Sequence, residues 1–438
     1  MILLLGQSVA TQAAATVTNI AAGDSHSLFI KSDGSLWVMG NNYTGQLGDG
    51  AFNNTNRPEQ IVSSGVIATA AGGISLFLKS DGSLWVTGYN GEGELGDGTF
   101  NTTNEPEQIV SNGVVSIASG ESHNLFIKCD GSLWTMGYNG YGELGDWTFN
   151  NTNRPELIVS SGVSAISGGD LHSLFLKSNG SLWGMGYNGY GQLGDGTFNN
   201  TNRPELIVPC GVVAIAGGVA HSLFLKDDGS LWAMGWNDCG QLGDGTFITT
   251  NRPKQIISSN VVAIACGVSH SLFIKSDGSL WAMGYNGDGE LGDGTCNNTN
   301  WPEQIVSSGV VAISGGYQHS LFLKSDGSLW AMGKNNSGEL GDGFTNGTSA
   351  FPEQIYPSPQ PVLTNSISSI TNLQFNATCQ FGGTFYLLAG TNLTQPLSQW
   401  TTVATNIINN HASNIFNSTL TNAVNPSAGQ RFYILCSQ

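Results

Sequence analysis

Seven tryptophans, each preceded by leucine, mark this chain at near-constant intervals: Trp37, Trp85, Trp134, Trp183, Trp232, Trp281 and Trp330, spaced by 48 and then five times by 49 residues. A fixed period of this length is the mark of one supersecondary unit copied into an array. The short interval has a local cause. The first unit reads GDSHSLF at residues 23–29, and the second reads GGISLF at residues 72–77, one residue fewer and without the histidine.

All seven units share one grammar. A short apolar strand, as in residues 212–216, leads into a hairpin, as in residues 221–235. A long loop carrying G-[QE]-L-G-D follows, and a last strand begins near P-E-[QL]-I. The hairpin turn is usually S-D-G-S, for instance Ser32, Asp33, Gly34 and Ser35, with Asn179-Gly180 in the fourth unit. Asp-Gly as a two-residue loop meets the positive φ needed at both positions. That turn sets Ser32 opposite Ser35, Ile30 opposite Trp37 and Leu28 opposite Met39, with Phe29 opposite Val38. Side chains alternate along a strand, so both faces of the hairpin are apolar. Such a sheet must lie between two neighbours, as the blade of a propeller does, whereas an antiparallel sandwich sheet keeps one wet face. The expected architecture is all-β: a seven-bladed propeller of four-stranded blades over residues 16–357. With no polar capping unit in sight, the array closes on itself.

The pattern G-x-x-H-[SN]-L-F-[LI]-K-x-[DN]-G-S-L-W-x-M-G-x-N-x-x-G-[QE]-L-G-D, seen at residues 120–146 and 267–293, resembles the regulator of chromosome condensation repeat. The resemblance covers residues 16–357. It implies seven four-stranded blades used mainly as a platform for other macromolecules. The founding nuclear member is a guanine nucleotide exchange factor with a wedge hairpin inserted in one blade. No unit here carries an insertion, so exchange activity is not carried over. In character the chain is more similar to bacterial-type secreted members of this family.

Beyond residue 357 the period is lost. Residues 384–389 (TFYLLA), 400–405 (WTTVAT) and 431–435 (RFYIL) read as strands separated by Asn-rich turns, so residues 358–438 are expected to form a small β-sandwich. It resembles the C-terminal β-domains of large secreted bacterial proteins. At the other terminus, residues 1–15 (MILLLGQSVATQAAA) combine a short apolar stretch with small residues, as the rear of a truncated signal peptide would. Secretion or surface display is the expected localisation. No other apolar run is long enough for an integral membrane segment.

Charge narrows the partners. With 14 basic and 31 acidic residues the net charge is −17, and no Lys/Arg cluster exists to neutralise phosphates. Nucleic acid is therefore not expected. Only 10% of residues are charged, against about a quarter usually. Among seven cysteines there is no CxxC pair, and only Cys379 and Cys436 share a small region in which they could pair.

Strands alternate in direction, so the first connector and the G-[QE]-L-G-D loop of every unit share one end. The hairpin turn and the inter-unit connector (SSGV) share the other, which is short and uniform. The first end is where the units differ, in connector tips such as Asp24-Ser25, Glu121-Ser122, Asp170-Leu171 and Tyr317-Gln318. The loops there begin with Tyr89, Tyr138, Tyr187, Trp236 and Tyr285, and Tyr43, Tyr141 and Tyr190 lie close by. These eight aromatics are the candidate partner-binding residues, because rings with a polar edge give contact area at low entropic cost. Two readings compete for the repeated loop aromatics: bracing the loop over Leu47 and its equivalents, or contacting a partner. Tyr141 and Tyr190, equivalent to Thr44, Glu92, Cys239, Asp288 and Ser337, favour contact.

Three apparent chemical motifs are set aside. His26, His123, His172, His221, His270 and His319 recur at one blade position, too far apart around a ring for one metal ion; half-buried structural imidazoles bonded to backbone are expected. The G-D-G-x-x-N-N segment lacks the alternating carboxylates of a calcium loop, and its Asp suits an Asx turn. Carboxylates repeat from unit to unit, so none is privileged for acid–base work. No cofactor and no catalysis are expected. The leading reading is a non-catalytic scaffold engaging a protein partner through the loop-rich face, with a carbohydrate-binding module next and a guanine nucleotide exchange factor-like regulator last.

Overall fold

The computed structural model describes residues 15–345 and 347–356 in full, together with the backbone of six strands beyond them. The first blade is β1 (Val17–Ala22), β2 (His26–Lys31), β3 (Leu36–Gly40) and β4 (Thr55–Val62), antiparallel and paired in that order. Six more sheets repeat it, the last from Val310–Gly315 to Thr348–Tyr356. The seven-bladed, four-stranded propeller is therefore as expected, and it occupies the compact unit Val17–Tyr356. Strands Val362–Ile367, Asn372–Thr378 and Ile415–Thr421 form one three-stranded sheet, and Gly383–Gly390, Thr401–Ile408 and Phe432–Ser437 form another. The possible leader and the Cys379–Cys436 question lie outside the described residues.

The hairpin register differs from expectation by one residue. Phe29 pairs with Trp37, Ile30 with Leu36, Leu28 with Val38 and Ser27 with Met39. Asp33 does not adopt positive φ; in this turn only Gly34 does, at 76°. An L-residue is disfavoured in that region, so the loop takes three residues, closing with glycine as a bulge. Asp33 gains from the change: its Oδ1 accepts from the Ser35 amide at 2.9 Å and the Ser35 hydroxyl at 2.6 Å. Ser35 in turn accepts the Trp37 indole N–H at 2.9 Å.

Both faces remain apolar in the true register, and each is buried by a different neighbour. Leu28, Ile30, Leu36 and Val38 pack on Phe77 and Trp85 of the second blade. Phe29 and Met39 pack on Leu321, Leu323, Leu329 and Ala331 of the seventh. The ring is therefore closed. Since each blade uses four consecutive strands, no strand is shared across the join. It is held by the same contacts as other seams, including Tyr317 N–H to Gly23 C=O at 3.1 Å and Gly343 N–H to Asn56 C=O at 2.8 Å. Blades approach so closely at the innermost strand that a Cβ on Gly72 would collide with the Gly120 carbonyl.

The recurrent histidines are fully buried rather than half-buried, and they bond across seams to side chains. His172 Nε2 lies 2.8 Å from Ser222 Oγ, which donates to the Gln192 carbonyl at 2.8 Å. The serine hydrogen is thus engaged, and the imidazole must donate from Nε2. His26–Ser75, His123–Ser173, His221–Ser271, His270–Ser320 and His319–Ser27 repeat the contact. At the remaining seam both partners change together: Ile74 replaces histidine, and Asn124 replaces serine and reaches the Glu94 carbonyl itself at 2.9 Å. His172→Ala and Ser222→Ala should each cost about 1–3 kcal/mol, since each strands a buried polar group. In urea unfolding the double variant should lose about 1 kcal/mol less than the sum; strict additivity would show that the pair does not interact.

Candidate functional site: the loop face

Backbone hydrogen bonds tie the long loop to the first connector of its own blade in every blade but the second, whose connector is one residue shorter. Tyr138 N–H donates to Ser122 C=O at 2.8 Å, Tyr187 to Leu171 at 2.7 Å, Trp236 to Ala220 at 2.8 Å and Tyr285 to Ser269 at 2.7 Å. At the other end the hairpin turn meets the inter-blade connector, as in Val66 N–H to Gly34 C=O at 3.0 Å. That end is not as plain as its sequence: Ile67, Val115, Val213, Val262 and Val311, at bulged positions of the innermost strands, are 53–56% exposed.

Each loop is held from beneath by the asparagine that follows its first residue. Asn139, fully buried, donates to Asp146 Oδ1 at 2.9 Å and accepts the Leu144 amide at 3.0 Å. The aspartate also makes the expected Asx turn, accepting the Thr148 amide at 2.8 Å. The brace sought in the aromatics is thus supplied by asparagine. The phenol rings of Tyr89, Tyr138, Tyr187 and Tyr285 lie instead over the glycine two residues on. Further along, Glu143 Oε2 accepts the Tyr141 amide at 2.9 Å, and Gln192 Oε1 does the same for Tyr190 at 3.1 Å. Glutamate and glutamine alternate at this position, and burial pushes Glu94, Glu143 and Glu290 up to about 7, which lowers the charge that the glutamates carry there.

Five of the eight candidate aromatics meet in one row across blades three to five. Successive centroids, from Tyr138 through Tyr141, Tyr187 and Tyr190 to Trp236, are 6.3, 4.9, 6.1 and 5.7 Å apart. Tyr141 bridges one seam and Tyr190 the next, and they remain 36% and 42% exposed. Tyr43, Tyr89 and Tyr285 are not joined to the row. Tyr43 is 73% exposed on the first blade.

Two further features were missed in the sequence. The first-connector tips of three blades bring Asp24, Glu121 and Asp170 to the mouth of a central well of about 300 Å³. Burial, then the charge of Glu121, pushes Asp24 up to about 7; burial, then a hydrogen bond with Glu121, pushes Asp170 up to about 9. These tips vary among units, a signal that becomes a cluster only when the positions are drawn on a ring. The second is Trp147, which holds φ at 72° where the equivalents Gly50, Gly98, Gly196, Gly245, Gly294 and Gly343 are glycine. It is 68% exposed, with the Arg203 guanidinium 5.3 Å from its ring.

The profile of the RCC1-like domain matches residues 5–258 and 111–387. The chain belongs to the RCC1-like domain family. Human WBSCR16 is 23% identical, with 72% of this chain and 88% of that one aligned at a TM-score of 0.64. Prp20p from Saccharomyces cerevisiae is 20% identical, with 76% and 88% aligned at 0.67. At these identities the likeness is one of fold. No curated protein is matched by sequence.

Burial in this RCC1-like propeller sets a distinctive pH response. The six histidines titrate near 6.5 when unfolded but are pushed by burial down to about 3 (His172, His221, His319) or 4 (His26, His123, His270). Acid below pH 6.5 therefore favours unfolding. Asp24, Glu94, Glu143, Glu290 and Asp170 act oppositely: their raised folded values mean that stability is lost as pH rises from about 4 to about 7, and for Asp170 on to about 9. The two sets nearly cancel between about pH 4.5 and 6.5. The melting temperature should be level there and drop steeply below about 4.5, where proton uptake by the histidines, and by aspartates such as Asp33 that are held below the usual carboxylate range, is no longer offset; a steady fall from pH 6.5 would show those carboxyls ionised. Separately, Trp147→Gly should raise the unfolding free energy by about 1 kcal/mol by relieving the left-handed strain. A lowered value would mean that the ring's contacts outweigh it.

Proposed function

We propose that this RCC1-like propeller is a non-catalytic binding scaffold that engages a protein partner through its loop face. The observation that carries the reading is the continuous aromatic row from Tyr138 to Trp236, with Tyr141 and Tyr190 exposed and the other three rings half-buried on loops braced from beneath. Rings of this kind, fixed before contact, lose little entropy on binding and are the side chains that dominate interfaces. Prp20p, of the same fold, is described for its binding to Gsp1p and histones, and also bound to Kap60. A protein partner fits that use of the fold. The net charge of −17 disfavours nucleic acid. The leader-like apolar start at residues 2–5, followed by small residues, supports action outside the cell. Carbohydrate is the second reading, since Tyr, Trp, Asn and Asp share the face.

The Tyr141→Ala/Tyr190→Ala double variant should keep its melting temperature within a few degrees yet lose proteins that the parent captures from conditioned medium. Capture unchanged by the double variant would remove this face from consideration. Signal on a glycan array, lost in the same variant, would replace the protein reading with the carbohydrate one.

A further inference from the structure

We infer that the central well binds an alkylammonium group, the charged end of a lysine side chain or of a small amine, between the carboxyls of Asp24, Glu121 and Asp170 and the apolar tips opposite them. The inference is independent of the aromatic row. The well opens at the loop end, and its volume of about 300 Å³ suits a small molecule or a single side chain. Around its mouth the first-connector tips fall into two halves. Asp24, Glu121 and Asp170 come from the first, third and fourth blades, and Val219, Val268 and Tyr317 from the fifth, sixth and seventh. The second blade presents no side chain there, because its connector is reduced to Gly72-Gly73. A Cβ on Gly73 would strike the Glu121 carbonyl oxygen and stand 3.6 Å from Asp24 Oδ2. The shortened connector is what lets Asp24 and Glu121 act on each other across the second blade.

The wall carries no positive charge: among the described residues that line it there is no Lys, Arg or His. The cations of the loop end are held elsewhere. Arg57, Arg154 and Arg252 lie against the loop glycines Gly343, Gly98 and Gly196, and Arg203 lies beside Trp147. Lys254 meets Asp244 at 2.6 Å, and Lys334 donates to Gln318 Oε1 at 2.6 Å. Asp170 Oδ1 is buried without a hydrogen-bond partner, and Asp24 lies deep in the ring with no hydrogen bond from the described residues to its carboxyl. A buried carboxylate without a partner is disfavoured, so protons are retained there. With Asp170 pushed up to about 9 and Asp24 to about 7, Asp170 keeps its proton at neutral pH and Asp24 keeps its own in part. The other titratable groups facing them are Glu143, whose charge bears on Asp170, the Tyr317 phenol, pushed up by burial and then by the three carboxyls, and the Cys266 thiol, pushed up by burial in the wall. An ammonium ion displaces the retained protons to solvent and shares its three N–H donors among the carboxyl oxygens. Val219, Val268 and the Tyr317 ring cover the hydrocarbon behind it. A metal ion does not fit, since among the described residues no three His, Cys, Asp or Glu side chains converge to hold one.

The test is isothermal titration of the full chain with n-pentylamine, 1-pentanol, the blocked tripeptide acetyl-Gly-Lys-Gly-amide and calcium chloride. Pentylamine should bind saturably, with a Kd of about 1 mM or below, and pentanol at least about tenfold more weakly. Pentylamine affinity should rise about tenfold or more from pH 6 to pH 8.5, because the carboxyls ionise over that range while the amine stays charged to about 10. Its heat should also vary with the buffer, which takes up the released protons. Asp24→Asn/Asp170→Asn should weaken pentylamine about tenfold or more and flatten the pH profile, with a melting temperature at pH 8.5 no lower than the parent's. Asp238→Asn, on an exposed loop tip outside the well, should change the affinity less than about twofold. Tripeptide binding alongside pentylamine would assign the site to a partner's lysine, and pentylamine binding alone would assign it to a free amine. No pentylamine binding at pH 8.5, equal binding of pentanol, or affinity untouched by the double asparagine variant would each overturn the inference. Calcium binding lost in that variant would overturn it in favour of a metal site. None of these readouts involves Tyr141 or Tyr190, so the protein-binding reading of the row stands or falls separately.

Discussion

Every blade of this protein has two greasy faces and only one body, so each depends on the blades either side of it. Leu28 and Val38 look one way and Phe29 and Met39 the other, and each pair meets a different neighbour. Burial at about 25 cal/mol per Å² is therefore mostly inter-blade. An open array would leave two apolar faces in water at its ends. The join between the seventh and first blades uses no shared strand, so closure follows from packing and from seam hydrogen bonds. The histidine–serine contacts belong to the same logic: they satisfy polar groups that burial between blades would otherwise strand. The coupled change to Ile74 and Asn124 shows that the serine position must still reach the facing carbonyl when the histidine is gone.

This dependence frees the loop end to vary. The asparagine–aspartate brace, the glycines and the buried Glu or Gln repeat in each loop, and they fix its path whatever the tip residue. Tyr141, Tyr190 and Trp147 could be introduced into single blades without altering that path. Where the tip is tyrosine it meets the first aromatic of the next blade, and rings join across seams. Where it is Asp288 the contact with the next blade is a hydrogen bond, from Gln318 at 2.9 Å. A continuous aromatic row thus arises from two point differences among near-identical units.

The tryptophan spacing and the alternation within LFIK and LWVM were enough to read the blade, its four strands and its apolar faces, because these are local patterns of period two. The Asp-Gly turn misled the register by one. Local statistics cannot say whether aspartate will bear positive φ, whereas its hydrogen bonds to Ser35 favour a right-handed aspartate and a bulged glycine. That the long loops and the first connectors share one end of the blades was also legible, from the direction of strands.

What the sequence by itself determined is the repeated hairpin, its two apolar faces and so the closed seven-fold ring; these follow from chain-local chemistry copied seven times. What only the tertiary structure decided is which variable residues become neighbours. Tyr141 meets Tyr187 and not Tyr89, and Asp24 shares a mouth with Glu121 and Asp170 across a gap of some hundred positions in the chain. The reason is geometric. Contacts between loops are set by the angular order and pitch of blades around the axis, which no single unit's sequence encodes.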